Sequence, residues 1–174
     1  MIIRKADPDQ FPPVREFYYA VIDGIGDSND SAGWKKDIYP TQESLFDFIN
    51  RGELYIAVEN EMIVGAMALN HQFNDEYRTV PWSVQAENSA VTVIHILAVH
   101  PEYTRKGYAK KLVQYAIDHS RSSGQRVMRL DVLKGNIAAK RLYIAMGFQY
   151  VAALPMFYED VGRTEFELYE YSLD

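Results

Sequence analysis

The sequence predicts an α/β fold of mixed α+β character. Its core is a mixed, mostly antiparallel sheet of six to seven strands flanked by about four helices. Three observations lead there. In the second half of the chain, strand-like and helix-like segments alternate, which requires parallel strands joined by crossover helices. Elsewhere strand-like runs follow one another directly, which requires hairpins, so the sheet is mixed. Finally, Val91–Val99 (VTVIHILAV) is apolar on both faces, as a central strand covered on both sides must be.

The elements follow in order. Residues 2–6 form a short strand. Asp7, Pro8 and Gln10 then mark a helix start, with a cap, a first-turn proline and a capping-box partner three residues on. Val14, Phe17, Tyr18, Val21, Ile22 and Ile25 recur at helical spacing and make one apolar face. Residues 24–33 (GIGDSNDSAG) are a turn-rich loop. A second helix opens near Thr41, turns Leu45, Phe48 and Ile49 inward and stops at Gly52. Residues 54–58 and 63–69 are strands joined by a turn at Glu59, Asn60 and Glu61. Gly65, inside the second of them, signals a bulge or a close backbone approach.

Residues 71–89 are polar and irregular but carry Phe73, Tyr77 and Trp82. So long an excursion in a compact chain reads as a functional loop. After the central strand comes a helix over 105–120, with Ala109, Leu112, Val113 and Ala116 on one side, ended by Ser122, Ser123 and Gly124. Val127–Leu133 is the next strand. A helix over 136–146 places Ala139, Leu142, Tyr143 and Met146 together, with Gly147 as its C-cap. Strands over 148–153 and 165–171 finish the sheet. The 174 residues are expected to form a single domain, 1–174.

Composition narrows the function classes. There is no cysteine, which removes disulfides, thiolate metal sites and cysteine nucleophiles, and no metal site is expected. The net charge of −6 argues against a nucleic-acid surface and is compatible with a cationic or amine substrate. The N-terminus has no long apolar run and no stretch approaches ~18 consecutive apolar residues, so neither a signal peptide nor a membrane span is expected. A cytoplasmic location follows as the expectation.

The chemistry concentrates between Val91 and Leu112. The strand ends at Leu97, Ala98 and Val99. A short basic, glycine-containing turn, Tyr103 to Gly107, then delivers the chain to a helix. The first N–H groups of a helix have no intrahelical acceptors, and its dipole adds partial positive charge there, so this is a place to hold an anion. Gly107 lets backbone come close to such a ligand, and Arg105 and Lys106 add cations.

These residues, and a second set downstream, resemble the GNAT N-acetyltransferase superfamily. Its acyl-CoA motif, Arg/Gln-x-x-Gly-x-Gly/Ala after an apolar-Ala-Val strand end, is matched by Leu97, Ala98 and Val99 followed by Thr104, Arg105, Lys106, Gly107, Tyr108 and Ala109. Asn136, Ala139, Tyr143, Gly147 and Phe148 match its Asn-x-x-Ala-x-x-x-Tyr-x-x-x-Gly-Phe pattern. Two departures stand out: Thr104 replaces the usual Arg or Gln, and Arg105 occupies a position where many members have glycine. The resemblance implies acetyl-CoA as cofactor, with CoA as product. It also implies direct attack of a primary amine on the thioester through a tetrahedral intermediate. It assigns cofactor binding to Leu97, Ala98, Val99, Arg105, Lys106, Gly107, Tyr108, Ala109, Asn136, Ala139 and Tyr143. Main-chain N–H groups at 97–99 would serve the oxyanion, and Tyr143 would be the proton donor to the leaving thiolate.

The base is less determined. His95 on the central strand has a suitable ordinary pKa, and Glu87 and Asp131 are alternatives. Asp131 could equally be an ion-pair partner of Arg129 or Arg126. The acceptor, a small-molecule or peptide amine, is expected among aromatics of the first two helices and the long loop: Phe17, Tyr18, Trp34, Tyr39, Tyr77 and Trp82, with Asn70. Of these Trp34, Asn70, Tyr77 and Trp82 are the leading substrate contacts. Residues 156–160, read as a loop, offer Glu159 and Asp160 to a cationic acceptor. No nucleic acid or membrane partner is expected, and a homodimer is the assembly the resemblance allows. The alternative reading is a non-catalytic acyl-CoA-binding or sensing module of the same fold. A third, resting on the basic turn alone, is some other phosphate or nucleotide site.

Overall fold

In a computed structural model of the chain, the structure describes residues 1–25 and 32–174. Most of the expected 24–33 loop therefore lies outside the described residues. The elements are β1 (Ile2–Lys5), α1 (Phe11–Ile25), α2 (Gln42–Asn50), β2 (Leu54–Glu59), β3 (Met62–Asn70), β4 (Val91–Val99), α3 (Tyr108–Ser122), β5 (Val127–Leu133), α4 (Ile137–Ala145), β6 (Gln149–Tyr158) and β7 (Gly162–Ser172). This is the predicted order. The strands form one seven-stranded sheet, β1-β2-β3-β4-β5-β7-β6, in which only β4 and β5 run parallel.

The local signals act as expected. Gln10 Oε1 accepts the Asp7 N–H at 3.0 Å, and a short 3-10 turn leads into α1. Thr41 caps α2 by accepting the Ser44 N–H. The β2–β3 hairpin turns through Asn60 and Glu61, both at positive φ, as a two-residue turn between right-twisted strands requires. Phe148–Ala153 and Glu165–Tyr171 prove too short as readings of the last strands. β6 runs on to Tyr158 and β7 starts at Gly162, so Met156, Phe157 and Tyr158 belong to a hairpin arm and not to a loop.

Each face of the sheet has its own core. Leu54, Ile56, Ala66, Ala68, Ile96 and Ala98 meet α1 and α2 through Val14, Phe17, Tyr18, Leu45 and Ile49. Tyr55, Met67, Ile94, Met128, Leu130 and Val132 meet α3 and α4 through Leu112, Val113, Ala116, Ile117 and Tyr143. The long excursion 71–90 is folded down by its aromatics: Tyr77, Val80 and Trp82 pack on Met156, Phe166 and Leu168 of the β6–β7 arm. A buried ion pair clamps it. Arg129 Nε donates to Glu170 Oε2 at 3.2 Å, its guanidinium lies 4.2 Å above the Trp82 ring, and Glu170 Oε1 accepts the N–H groups of Ser83 and Val84.

Gly65 is a close approach and also faces an irregularity in strand pairing. A Cβ there would sit 2.8 Å from Leu112 Cδ1 of α3 and 3.2 Å from the Ala98 carbonyl oxygen, and the β2–β3 register shifts just beyond its partner Ala57. Gly65→Val therefore forces α3 off the sheet. The expected cost is about 1–3 kcal/mol, the ordinary penalty of overpacking a core. Thermal melting by circular dichroism should drop by several degrees, whereas Gly107→Ala, with nothing within 4 Å of its added carbon, should show only the smaller penalty of a left-handed backbone.

Candidate active site

The site grows from one irregularity in the central strand. β4 pairs with β3 at Gly65–Val99 and Ala66–Ala98, then at Ala68–His95, so β4 spends one extra residue between them. Ile96 takes a positive φ of 46° there, unusual for a β-branched residue. The bulge breaks the alternation of side chains, so Ile96 and Ala98 face the α1–α2 core. The Tyr18 hydroxyl donates to the Ile96 carbonyl at 2.9 Å and satisfies it inside the core. On its other edge, β4 pairs with β5 only from Val91–Val127 to Val93–Arg129. Beyond that point the two strands part.

The gap is a chamber of about 110 Å³. Ile94, His95, Ile96 and Leu97 line it from β4, and Asp131, Val132 and Leu133 from β5. Trp34, Tyr39, Tyr143, Tyr158 and Asp160 complete its walls. It joins a second cavity of about 410 Å³, because Leu97, Trp34, Asn136, Ala139 and Tyr143 border both. The larger cavity is a groove running past Ala98, Val99 and Thr104 to Ala109 at the start of α3, floored by Ala138, Ala139 and Leu142 of α4.

At the far end of the groove the turn runs on to Gly107, so α3 starts at Tyr108 and not at 105, because Arg105 and Gly107 both take left-handed backbone. Gly107 is the N-cap of α3 at a φ of 82°, and no side chain caps the first amides of that helix. Arg105 is also left-handed, at 62°, which is the physical reason a glycine is at home at that position. Thr104 Oγ1 donates to the Pro101 carbonyl, Lys106 Nζ to the Glu102 carbonyl, and the Tyr108 hydroxyl to Glu59. Open space over Gly107, an uncapped helix start and an adjoining groove together fit a long ligand with an anionic end.

Asn136 caps α4 by accepting the Ala139 N–H at 3.1 Å while also lining both cavities. Tyr143, buried where the cavities meet, packs edge-on to Phe148. Burial, then the nearby Asp131 charge, raises its pKa, so the phenol keeps its proton. His95 Nε2 lies 2.9 Å from Asn70 Oδ1 and 3.1 Å from the Gln72 carbonyl oxygen. Asn70 is itself oriented by donating to Glu53 and accepting the Gln72 N–H. Both neighbours of Nε2 are acceptors, so Nε2 carries the proton and Nδ1 is left unprotonated. Burial pushes the His95 pKa down to about 4, with the bond to Gln72 opposing it.

Asp131 is not the partner of Arg129 or Arg126. Arg129 is taken by Glu170, and Arg126 by Asp174 and the Gln85 carbonyl. Instead Asp131 accepts hydroxyls from Tyr77 (2.7 Å to Oδ2) and Tyr158 (3.1 Å to Oδ1), and burial raises its pKa. The predicted aromatics thus divide. Trp34 and Tyr39 are on the chamber wall, Tyr77 stands behind Asp131, and Asn70 stands behind His95. Phe17 and Tyr18 are core residues, Trp82 is used up on Arg129 and Tyr77, and Glu87 is exposed at the entrance to β4. The pairing of Asp131 with Tyr158 had no sequence signal, because 27 residues separate them and only the β5–β7–β6 order brings them together.

Known proteins share this architecture. An acetyltransferase of the GNAT family from Streptococcus agalactiae superposes with a TM-score of 0.82 at 19% identity, covering 98% of this chain and 94% of that one. The yncA protein of Salmonella typhimurium, solved with its cofactor acetyl-CoA, superposes at 0.72 with 22% identity, covering 100% and 94%. At such identities the likeness is one of fold. In sequence, the L-amino acid N-acyltransferase MnaT of Escherichia coli K12 is 35% identical over 72 residues, which is 41% of this chain and 42% of that relative, so the match spans less than half of it. The model of the acetyltransferase (GNAT) family matches residues 19–148, well over half of the chain. The chain therefore belongs to the GNAT acetyltransferase family, whose members use acetyl-CoA.

Proposed function

We propose that the protein transfers an acetyl group from acetyl-CoA to the primary amine of a small molecule or peptide. The observation that carries this reading is the junction of the groove and the chamber at Leu97, Asn136 and Tyr143. A ligand bound by its anionic end at α3 has a path to that junction, and an acceptor has a separate space on the far side. Acetyl-CoA supplies an acyl thioester, and the remaining work falls to the chain.

The amides of the 104–109 turn and the start of α3, with Arg105 and Lys106 beside them, hold the pyrophosphate. Asn136 lends its unused amide edge to the pantetheine arm while its carbonyl oxygen keeps α4 capped. Main-chain N–H groups at 97–99, on the strand edge that leaves β5, offer donors for developing negative charge. Tyr143 holds a proton at the junction and gives it up there. His95 is the proton acceptor of this reading. Its Nδ1 is unprotonated, and the low pKa means a proton taken from the amine is passed on to solvent and not retained.

The reading predicts that acetyl-CoA binds in isothermal titration calorimetry, raises the melting temperature, and is consumed with release of free CoA across an amine panel. Tight binding without turnover of any amine would favour the sensing module instead. Tyr143→Phe should lower kcat by about tenfold or more, in keeping with a lost general acid, and leave the KM for acetyl-CoA within about twofold. An equal loss in both would mark Tyr143 as a packing residue only.

His95 also ties stability to pH. The unfolded chain takes up a proton near 6.5, whereas the folded chain resists until about 4. The contribution of the neutral, buried imidazole is thus complete above about pH 6.5 and is lost progressively as pH falls to about 4, by up to about 3 kcal/mol. His95→Gln, which keeps a donor for Asn70 and Gln72, should flatten the acid limb of a urea-denaturation pH series and reduce kcat by about tenfold.

A further inference from the structure

The chamber's charge is one-sided. Two carboxylates stand on its wall, Asp131 and Asp160, and no Lys or Arg lines it among the described residues. Asp131 is tied to Tyr77 and Tyr158. Asp160 is only 5% exposed; main-chain N–H groups at Asp160 and Val161 act on its carboxylate, but its Oδ1 has no hydrogen-bond donor of its own. A buried carboxylate oxygen without a donor costs free energy, and it persists where a ligand supplies the donor. The nearest cation acting on it is Lys35, which forms no ion pair with it and does not line the chamber. Both carboxylates share the chamber wall with Tyr39 and Tyr158, and both raise the pKa values of those two hydroxyls. Beside them stand π faces: Tyr39 and Tyr158 meet edge to face at 5.3 Å, and Trp34 packs against Tyr39 at 6.4 Å.

Resting on the acetyltransferase reading, we propose that the acceptor is an alkylamine or arylalkylamine that bears a cation and no carboxylate beside its amine, with Asp160 as its anchoring residue. An ammonium donates a charge-assisted hydrogen bond to the Asp160 carboxylate and gains the field of Asp131 and the aromatic walls. A free α-amino acid would bring its own carboxylate against the buried Asp160 and the half-buried Asp131, with no guanidinium or ammonium among the described wall residues to receive it. In this the chain departs from the acceptor named for its MnaT relative. A second amino group on the acceptor fits the same logic, one nitrogen anchored and the other at the junction.

The test is calorimetric titration of the full chain, saturated with CoA, with phenethylamine, 1,4-diaminobutane and phenylalanine. At least one of the two amines should bind about tenfold or more tightly than phenylalanine. Asp160→Asn should weaken that amine by about tenfold, the scale of a charged hydrogen bond, with Asp160→Glu restoring part of it and the melting temperature of each variant serving as a check on folding. If phenylalanine binds as well as both amines, or if a folded Asp160→Asn chain binds the amine unchanged, the proposal is overturned. Free CoA release is measured alongside from acetyl-CoA. Amine binding without CoA release sinks the acetyltransferase reading but leaves the pocket assignment standing, and turnover of phenylalanine in preference to both amines does the reverse.

Discussion

The parting of β4 from β5 is the constraint on which the rest of this structure depends. Three residue pairs hold the strands together, and the bulge at Ile96 turns β4 away from them. Positive φ at a β-branched residue carries a conformational cost, of order 1–3 kcal/mol for strained backbone of this kind. It is met locally: the Tyr18 hydroxyl takes up the Ile96 carbonyl, and Ile96 itself is buried against α1. Had the ladder continued, side chains of β4 and β5 would fill the space that is now a chamber, and the edge amides at 97–99 would be spent on β5.

Around that opening the protein separates charges by environment. His95 and Asp131 border one small volume, and burial drives each towards its neutral form, one by lowering and the other by raising its pKa. Hydroxyls from Tyr77 and Tyr158 keep Asp131 compatible with being ionised. Glu170 is handled differently. It is paired with Arg129 and accepts two backbone amides, so its charge is structural and fixes the 71–90 excursion in place. Through that excursion the clamp also positions Tyr77, and so the carboxylate that Tyr77 serves.

Much of this was legible in the chain. The order of elements, the two-sided apolarity of Val91–Val99, and the glycine turn before α3 are local features, and local physics decides them. The positive φ at Arg105 explains why glycine suits that position, and so what the departure there costs, which the sequence could only flag. What was hidden depends on sheet order. Arg129 finds Glu170 and Asp131 finds Tyr158 because β7 and β6 lie beyond β5, a fact no spacing in the sequence encodes. The aromatics were read as one set, yet Trp82 serves Arg129 while Trp34 faces the chamber, since side-chain direction in an irregular segment has no period to follow. The last strands run longer than read, with β6 continuing through Pro155 to Tyr158. In the structure β6 is an edge strand, where proline is tolerated.

The β6–β7 arm has a consequence of its own. The groove is walled by α1, Trp34, β4, α3 and α4, whereas Tyr158, Asp160, Val161 and Phe166 of the chamber come from the arm and its turn. None of these four touches the groove. On the proposed reading, part of the acceptor space is therefore written in a stretch of the gene that the carrier groove does not use. A lineage could exchange a few codons at one hairpin tip and acquire a new clientele, with the machinery for handling its acyl carrier inherited intact.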